Sequence, residues 1–155
     1  MATPPTCATG ADLPAPTSIA PARCCDGTCP IGRPTTCCGL SRKRRGRRTI
    51  GMINYHRREL RERRVDVGWL LLPAHQGKGY MAEAACALLR HLFDDLGVHK
   101  VEALIRQENK PSAALAKRLG FRLEGGPIRD RWLVSGHWHS VMLYGLIAGE
   151  ERSPG

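Results

Sequence analysis

Hydrophobic and polar positions follow two different periods from residue 49 onward, and together they predict alternating strands and helices. Apolar residues recur every three or four positions in Tyr80–Leu96 and again in Asn109–Leu119, which is the spacing of an amphipathic helix. They alternate with polar residues in Val65–Leu72 and in His99–Arg106, which is the spacing of a strand. The pattern therefore predicts a strand, helix, strand, helix order in the middle of the chain.

Further strands are predicted on both sides of this central part. Thr49–Tyr55 is rich in strand-forming residues and begins the ordered domain, and the mixed-charge run Arg57–Arg64 is interpreted as an exposed connection. Phe121–Leu123 begins an antiparallel tail, in which Ser135-Gly136 has the composition of a tight turn between Trp132–Val134 and Trp138–Ile147. The predicted fold class is therefore α/β (α+β).

A glycine-punctuated turn, His75–Glu83, connects the strand Val65–Leu72 to the first helix. Gly77 and Gly79 can adopt positive φ and leave the main chain open to a ligand. A helix start aims backbone N–H groups and positive potential at an anion, and Lys78 adds a charge, so this turn is a candidate phosphate site. The alternative is that a tight connection uses glycine for its geometry alone.

The first 48 residues have neither period and no aromatic residue, so we predict a disordered segment followed by a domain at 49–148 and a frayed tail at 149–155. Six of the seven cysteines lie in this segment, but they form no C-x2-C pair, so we predict no metal site. Cys86, on the first helix, is interpreted as a small buried hydrophobe. We expect no signal peptide, no membrane span and a reducing, cytoplasmic location.

Charge is concentrated at the front of the chain. Residues 1–48 hold eight Lys or Arg and two Asp, out of a net charge of +10 for the whole chain. Much of this lies in Ser41–Arg48, which has the composition of a nucleic-acid contact or of a solvated linker. We favour the linker, because no aromatic residue is interleaved to stack on bases.

Five stretches in a consistent order resemble the GCN5-related N-acetyltransferase (GNAT) superfamily, and within it the RimJ/RimL branch that acetylates ribosomal-protein N termini. They cover about residues 49–148, and they are Asp66–Trp69, Gln76–Ala84, Asn109–Ser112, Lys117–Phe121 and Trp138–Tyr144. The resemblance implies a twisted mixed sheet, flanked by helices, that opens between two strands to admit acetyl-CoA. The strand and helices with which this family begins are missing from, or replaced in, residues 1–48, whose composition would also fit an altered reading frame.

The resemblance also implies the cofactor-binding residues. Backbone amides of the glycine turn would hold the pyrophosphate, the end of the strand before it would bind the pantetheine arm, and two residues opening the second helix would contact that arm. These residues are Gln76, Gly77, Lys78, Gly79, Tyr80, Met81 and Ala82; Leu70, Leu71 and Leu72; and Asn109 and Ser112. Met81 stands where the family prefers a smaller residue, which would crowd one amide.

Two residues are implied as catalytic candidates. Asp66 lies where the family often has a glutamate that accepts the proton of the amine, although it could equally pair with a nearby arginine. Ser140 stands where the branch often has an aspartate, between His137 and His139, which are titratable or merely exposed. The tyrosine that many members use as the acid is replaced by Ala116.

The function implied is transfer of an acetyl group from acetyl-CoA to a primary amine, such as a protein N-terminus. Alternatives are acetylation of a small-molecule amine, a CoA-binding module without turnover, and a nucleic-acid binder that acts through Ser41–Arg48. Loss of the family's first helices would expose apolar sheet surface, which makes a homodimer a further hypothesis.

Overall fold

The computed structural model describes residues 36–41, 49–59 and 61–150. Within these residues, six strands form one sheet in the order β1-β2-β3-β4-β6-β5, and two α-helices flank it. Every neighbouring pair is antiparallel except β3 and β4. The strands are β1 (Thr36–Ser41), β2 (Thr49–Glu59), β3 (Arg64–Leu71), β4 (Lys100–Arg106), β5 (Arg122–Val134) and β6 (His137–Ile147); the helices are α1 (Tyr80–Arg90) and α2 (Lys110–Arg118).

Both helices begin and end as their sequences predict. α1 starts after Gly79, continues into a wider π-helical turn at His91–Asp95, and is followed by Gly97 at a φ of 62°. α2 starts after Asn109, whose side-chain oxygen accepts a hydrogen bond from the Ser112 N–H at 3.2 Å. The asparagine cap at the start of α2 and the glycine after α1 are common helix boundaries. The predicted helices are therefore confirmed to within a few residues.

The hydrophobic core lies between the two helices and one face of the sheet. Leu92 and Val101 are fully buried there, with Ala116 of α2. Because side chains alternate along a strand, the neighbours of the core residues in β3 and β4 point to the opposite face. That face carries polar groups, including an ion-pair chain in which Glu102 contacts both Arg64 and Lys100.

The pairing between β3 and β4 covers only three residue pairs, from Arg64–Lys100 to Asp66–Glu102. β3 then follows β2 as far as Leu71, whereas β4 follows β6 as far as Arg106. The two central strands therefore separate, and a gap opens in the middle of the sheet. This is the opening that the resemblance predicts.

Three boundaries differ from the predictions. β1 lies within the segment that was predicted to be disordered. Its sequence has no strand pattern of its own, and the strand forms because its main chain pairs with β2. β2 continues to Glu59, so the predicted connection Arg57–Arg64 is reduced to a short turn before β3. β5 is one continuous strand from Arg122 to Val134, whereas the prediction named only its two ends, Phe121–Leu123 and Trp132–Val134; its bulged pairing with β6 accommodates the glycine and proline residues between them.

Cys86 is half-buried against the core but is disulfide-bonded, so its interpretation as a simple buried hydrophobe is wrong. Some predictions lie outside the described residues, namely those for residues 1–35, 42–48 and 151–155. Among the helices of the described residues, none is long and apolar enough to cross a membrane.

Candidate functional site

The gap between β3 and β4 is the candidate site. Its walls are formed by Val67–Trp69 from β3, Ala103–Arg106 from β4, Asn109 and Ser112 at the start of α2, and Trp132 from β5. The start of α2 borders the gap on the core face of the sheet. In the described part of the chain no helix covers the opposite face, so a second reactant can approach from there.

The edge of β3 presents alternate residues to this gap. The Leu72 N–H donates to the Ile50 carbonyl of β2 at 2.9 Å. In an antiparallel ladder the main-chain N–H and C=O groups of successive residues point to opposite sides of the strand. Those of Leu70 therefore point to β2, like those of Leu72, whereas the main-chain groups of Trp69 and Leu71 point toward the gap. Of the three leucines predicted to bind pantetheine, only Leu71 is therefore oriented to do so through its main chain. Its carbonyl already accepts a hydrogen bond from Gln76 Nε2 at 3.0 Å, so its N–H is the group left for a ligand.

The glycine turn has the predicted geometry. Gly77 has a φ of 72° and Gly79 a φ of 81°, and a Cβ added to Gly77 would meet nothing within 4 Å. The Gln76 N–H is already used, because it donates to the Pro73 carbonyl at 3.2 Å. The Lys78 ammonium donates to the Ala74 carbonyl at 3.0 Å, which fixes the loop and holds the charge beside it. The open main chain therefore begins at Gly77, not at Gln76.

The start of α1 follows directly. Its first internal bond runs from the Glu83 N–H to the Gly79 carbonyl at 3.0 Å, and no side chain caps it. The N–H groups of Met81 and Ala82 therefore lie outside the helix's own ladder, at its positive end. The resemblance implied that Met81 would crowd one of these amides. Its side chain is instead buried in the core.

A hydroxyl group lies in the wall of the gap. Ser112 Oγ accepts a hydrogen bond from the Trp69 indole N–H at 3.2 Å, which leaves its own O–H as a donor. Ala116, at the position of the family's tyrosine, is fully buried and reaches no part of the gap. Sequence reasoning missed this donor because the pairing of Trp69 with Ser112 joins residues 43 apart.

Asp66 lies at the closed end of the gap, on the face without helices. It is 9% exposed, and His56 Nε2 on β2 lies 4.0 Å from its Oδ2. Glu102 is its partner on β4, and this second carboxylate contacts Arg64 Nη1 at 2.7 Å and Lys100 Nζ at 3.1 Å. Hydrogen bonding to Glu102 raises the pKa of Arg64, so the guanidinium stays charged across the neutral range.

Ser140 is not near Asp66. It lies beyond the end of β4, where its carbonyl accepts from the Gln107 N–H at 3.2 Å, and it does not line the gap. Glu102 faces Gly145 on β6, so five residues, about 17 Å, separate the two candidates along the sheet. They cannot act on one atom.

His139 ties β6 to the loop that precedes α2. Its Nδ1 lies 3.0 Å from Glu108 Oε1, next to the Asn109 cap, whereas His137 is exposed near the hairpin turn. The pKa of Glu108 is lowered by its own backbone N–H and, second, by His139. His139 is therefore a contact that positions the loop.

The sheet, its gap and the glycine turn now allow comparison with known proteins. The acetyltransferase (GNAT) domain model matches residues 30–122. The chain belongs to the GNAT acetyltransferase family. The match begins before residue 49, so part of the segment that looked unrelated, including β1, falls within the GNAT domain.

Individual GNAT relatives agree with this. The chain is 33% identical over 98 residues to the ribosomal-protein-serine acetyltransferase of Escherichia coli, covering 63% of this chain and 54% of the relative. It is 35% identical over 80 residues to the [ribosomal protein uS5]-alanine N-acetyltransferase of the same organism, covering 52% and 41%. The chain thus spans about half the length of the curated relatives that it matches.

The fold is also that of solved GNAT structures. The ribosomal-protein-S5-alanine acetyltransferase from Vibrio fischeri superimposes with a TM-score of 0.70 at 23% identity, covering 77% of this chain and 64% of that one. At this identity the likeness concerns the fold. It confirms the predicted sheet flanked by helices.

Proposed function

We propose that this protein transfers the acetyl group of acetyl-CoA to a primary amine, the α-amine of a protein N-terminus of the ribosomal-protein type. The observation that carries the proposal is the gap between β3 and β4 with an open glycine turn at the start of α1. The named activities of the relatives support it.

The chain offers matching groups for acetyl-CoA. The amides of Gly77–Ala82 bind the pyrophosphate oxygens at the positive end of α1. The main chain of Trp69 and Leu71 pairs with the amides of the pantetheine arm, in place of the strand that β4 no longer supplies. Asn109, occupied in capping α2, fixes the position of Ser112 beside that arm.

The transfer needs a proton acceptor for the amine and a hydrogen-bond donor for the leaving thiolate. The amine attacks the thioester carbonyl from the face without helices, a carbon–nitrogen bond forms and the carbon–sulfur bond breaks. The Asp66 carboxylate accepts the amine proton, directly or through a water molecule, and the Ser112 hydroxyl donates a hydrogen bond that stabilises the leaving thiolate, which takes its proton from water. Ser140, far from Asp66, has no role in this scheme.

A matched pair of glycine variants tests the cofactor site. Gly77 and Gly149 both have positive φ, at 72° and 81°, and a Cβ at either position would meet nothing within 4 Å. Replacement by tryptophan therefore imposes the same strain, about 1–2 kcal/mol, at each position. Only residue 77 lies in the glycine turn, since Gly149 follows β6 at the other end of the sheet.

We expect Gly77→Trp to weaken acetyl-CoA binding by at least tenfold in calorimetry and Gly149→Trp to leave it unchanged. Equal binding by both variants would refute the proposed site. Thiol release on a panel of free-N-terminus peptides and polyamines then identifies the acceptor class. Binding without release from any amine would favour a non-catalytic CoA-binding module, and transfer to polyamines alone would favour the small-molecule alternative.

Further parts of the proposal concern organisation and partners. We propose a catalytic domain that extends to residue 148, a cytoplasmic location, and a homodimer through the exposed apolar residues of the β5–β6 hairpin, such as Leu133 and Trp138. Sedimentation of a stable monomer at micromolar concentration would exclude the homodimer. Salt-dependent nucleic-acid binding that requires residues 41–48 would instead support the nucleic-acid alternative.

A further inference from the structure

An asparagine on β2 stands beside the gap on the face from which the amine must come. Asn54 is the cross-strand partner of Gly68, whose main chain lines the gap. A Cβ on residue 68 would lie 2.8 Å from Asn54 Oδ1, so the Asn54 carboxamide lies in the space directly above Gly68. The carboxamide is thus placed over the edge of the opening.

The polar groups around it are already engaged. Asp66, two residues before Gly68 on the same face, contacts His56, and Glu102 is held by Arg64 and Lys100. Within the described residues the half-buried Asn54 side chain makes no hydrogen bond. Both its acceptor oxygen and its donor N–H groups therefore remain for a ligand.

We propose that Asn54 binds the acceptor and selects peptide N-termini over other amines. This inference rests on the proposed function and names the chemical class that the same site accepts. Oδ1 receives an N–H of the attacking amine, and Nδ2 donates to the carbonyl of the acceptor's first residue. An α-amine two bonds from a carbonyl carbon satisfies both groups, whereas a polyamine satisfies only the oxygen.

Two substitutions separate the two contacts. Asn54→Ala removes both, and Asn54→Asp keeps an oxygen for the amine but loses the donor for the carbonyl. Met52→Leu is the matched control, since Met52 lies on the same strand and face but is 41% exposed and opposite Leu70. Kinetics are measured at saturating acetyl-CoA with a free-N-terminus peptide and with spermidine, after calorimetry has shown that each variant binds acetyl-CoA like the wild type.

We expect Asn54→Ala to raise KM for the peptide about tenfold, the size of one or two lost hydrogen bonds, with kcat within twofold. KM for spermidine should change by less than threefold in the same variant. Asn54→Asp should raise KM for the peptide severalfold and leave or lower KM for spermidine, because the new charge attracts a polyamine. Met52→Leu should match the wild type.

Three results would overturn the inference alone: unchanged peptide KM in Asn54→Ala, equal KM increases for both amines, or a Met52→Leu variant with the same defect. Transfer by the wild type to spermidine but to no peptide would overturn both the inference and the peptide acceptor of the proposed function. A wild-type protein that binds acetyl-CoA and acetylates no amine would refute the proposed function itself.

Discussion

The hydrogen bond between Trp69 and Ser112 allows the proposed hydrogen-bond donor to the thiolate to be tested with a double-mutant cycle. Ser112→Ala removes the hydroxyl that lines the gap and leaves the Trp69 indole N–H without its 3.2 Å acceptor. Trp69→Phe removes the indole N–H but keeps a ring beside Phe121, whose centroid lies 6.4 Å away. One variant therefore removes the acceptor of this hydrogen bond, and the other removes its donor.

The expected magnitudes follow from the two roles of the hydroxyl. Ser112→Ala should lower kcat about 100-fold by removing the donor to the thiolate, with KM for acetyl-CoA within about threefold. Trp69→Phe should lower kcat only about fivefold, because it loosens the hydroxyl without removing it, a loss of about 1 kcal/mol. The double variant should then be no slower than Ser112→Ala.

Single-turnover thiol release measures these rates, and urea unfolding measures stability beside them. We expect Ser112→Ala to lose about 1–2 kcal/mol of stability, since a half-buried N–H is left without a partner. Losses in kcat that simply multiply in the double variant would show that Trp69 and Ser112 act independently. A Ser112→Ala enzyme within twofold of the wild type would refute the role of Ser112 as donor.

Two further predictions concern stability. Leu92→Ala, at a fully buried position, should cost about 2–5 kcal/mol in urea unfolding, whereas Leu133→Ala, at a position 57% exposed, should stay within about 0.5 kcal/mol; equal costs would place the core elsewhere. Its own backbone N–H and, second, His139 hold the pKa of Glu108 below its ordinary value of 4.5, so these contacts stabilise the fold above that value and are lost as the pH falls through the folded pKa. Glu108→Gln should therefore flatten the fall in stability below pH 4.5, and an unchanged slope would contradict this.

The helices and the glycine turn could be predicted from the sequence because local signals specify them. The 3.6-residue period of α1, the Asn109 cap of α2 and the glycines at positions 77 and 79 each act within a few residues of chain. The same holds for the order of elements from β2 to β6, from which the family resemblance followed.

Other features depend on residues far apart in sequence. β1 forms because its main chain hydrogen-bonds to β2, and β5 remains one strand despite its bulges because it pairs with β6. The choice of Leu71 over Leu70 for the gap depends on which neighbours pair with β3. No local period contains this information.

The sequence alone determined that this chain builds a strand, a glycine turn and a helix, the arrangement proposed to bind a phosphate, since each element needs only neighbouring residues. The tertiary structure decided which groups share the gap. It separated Ser140 from Asp66, brought Ser112 to Trp69, and set Asn54 above Gly68. The reason is physical: β3 and β4 part after three residue pairs, and only the assembled sheet shows which side chains border the opening.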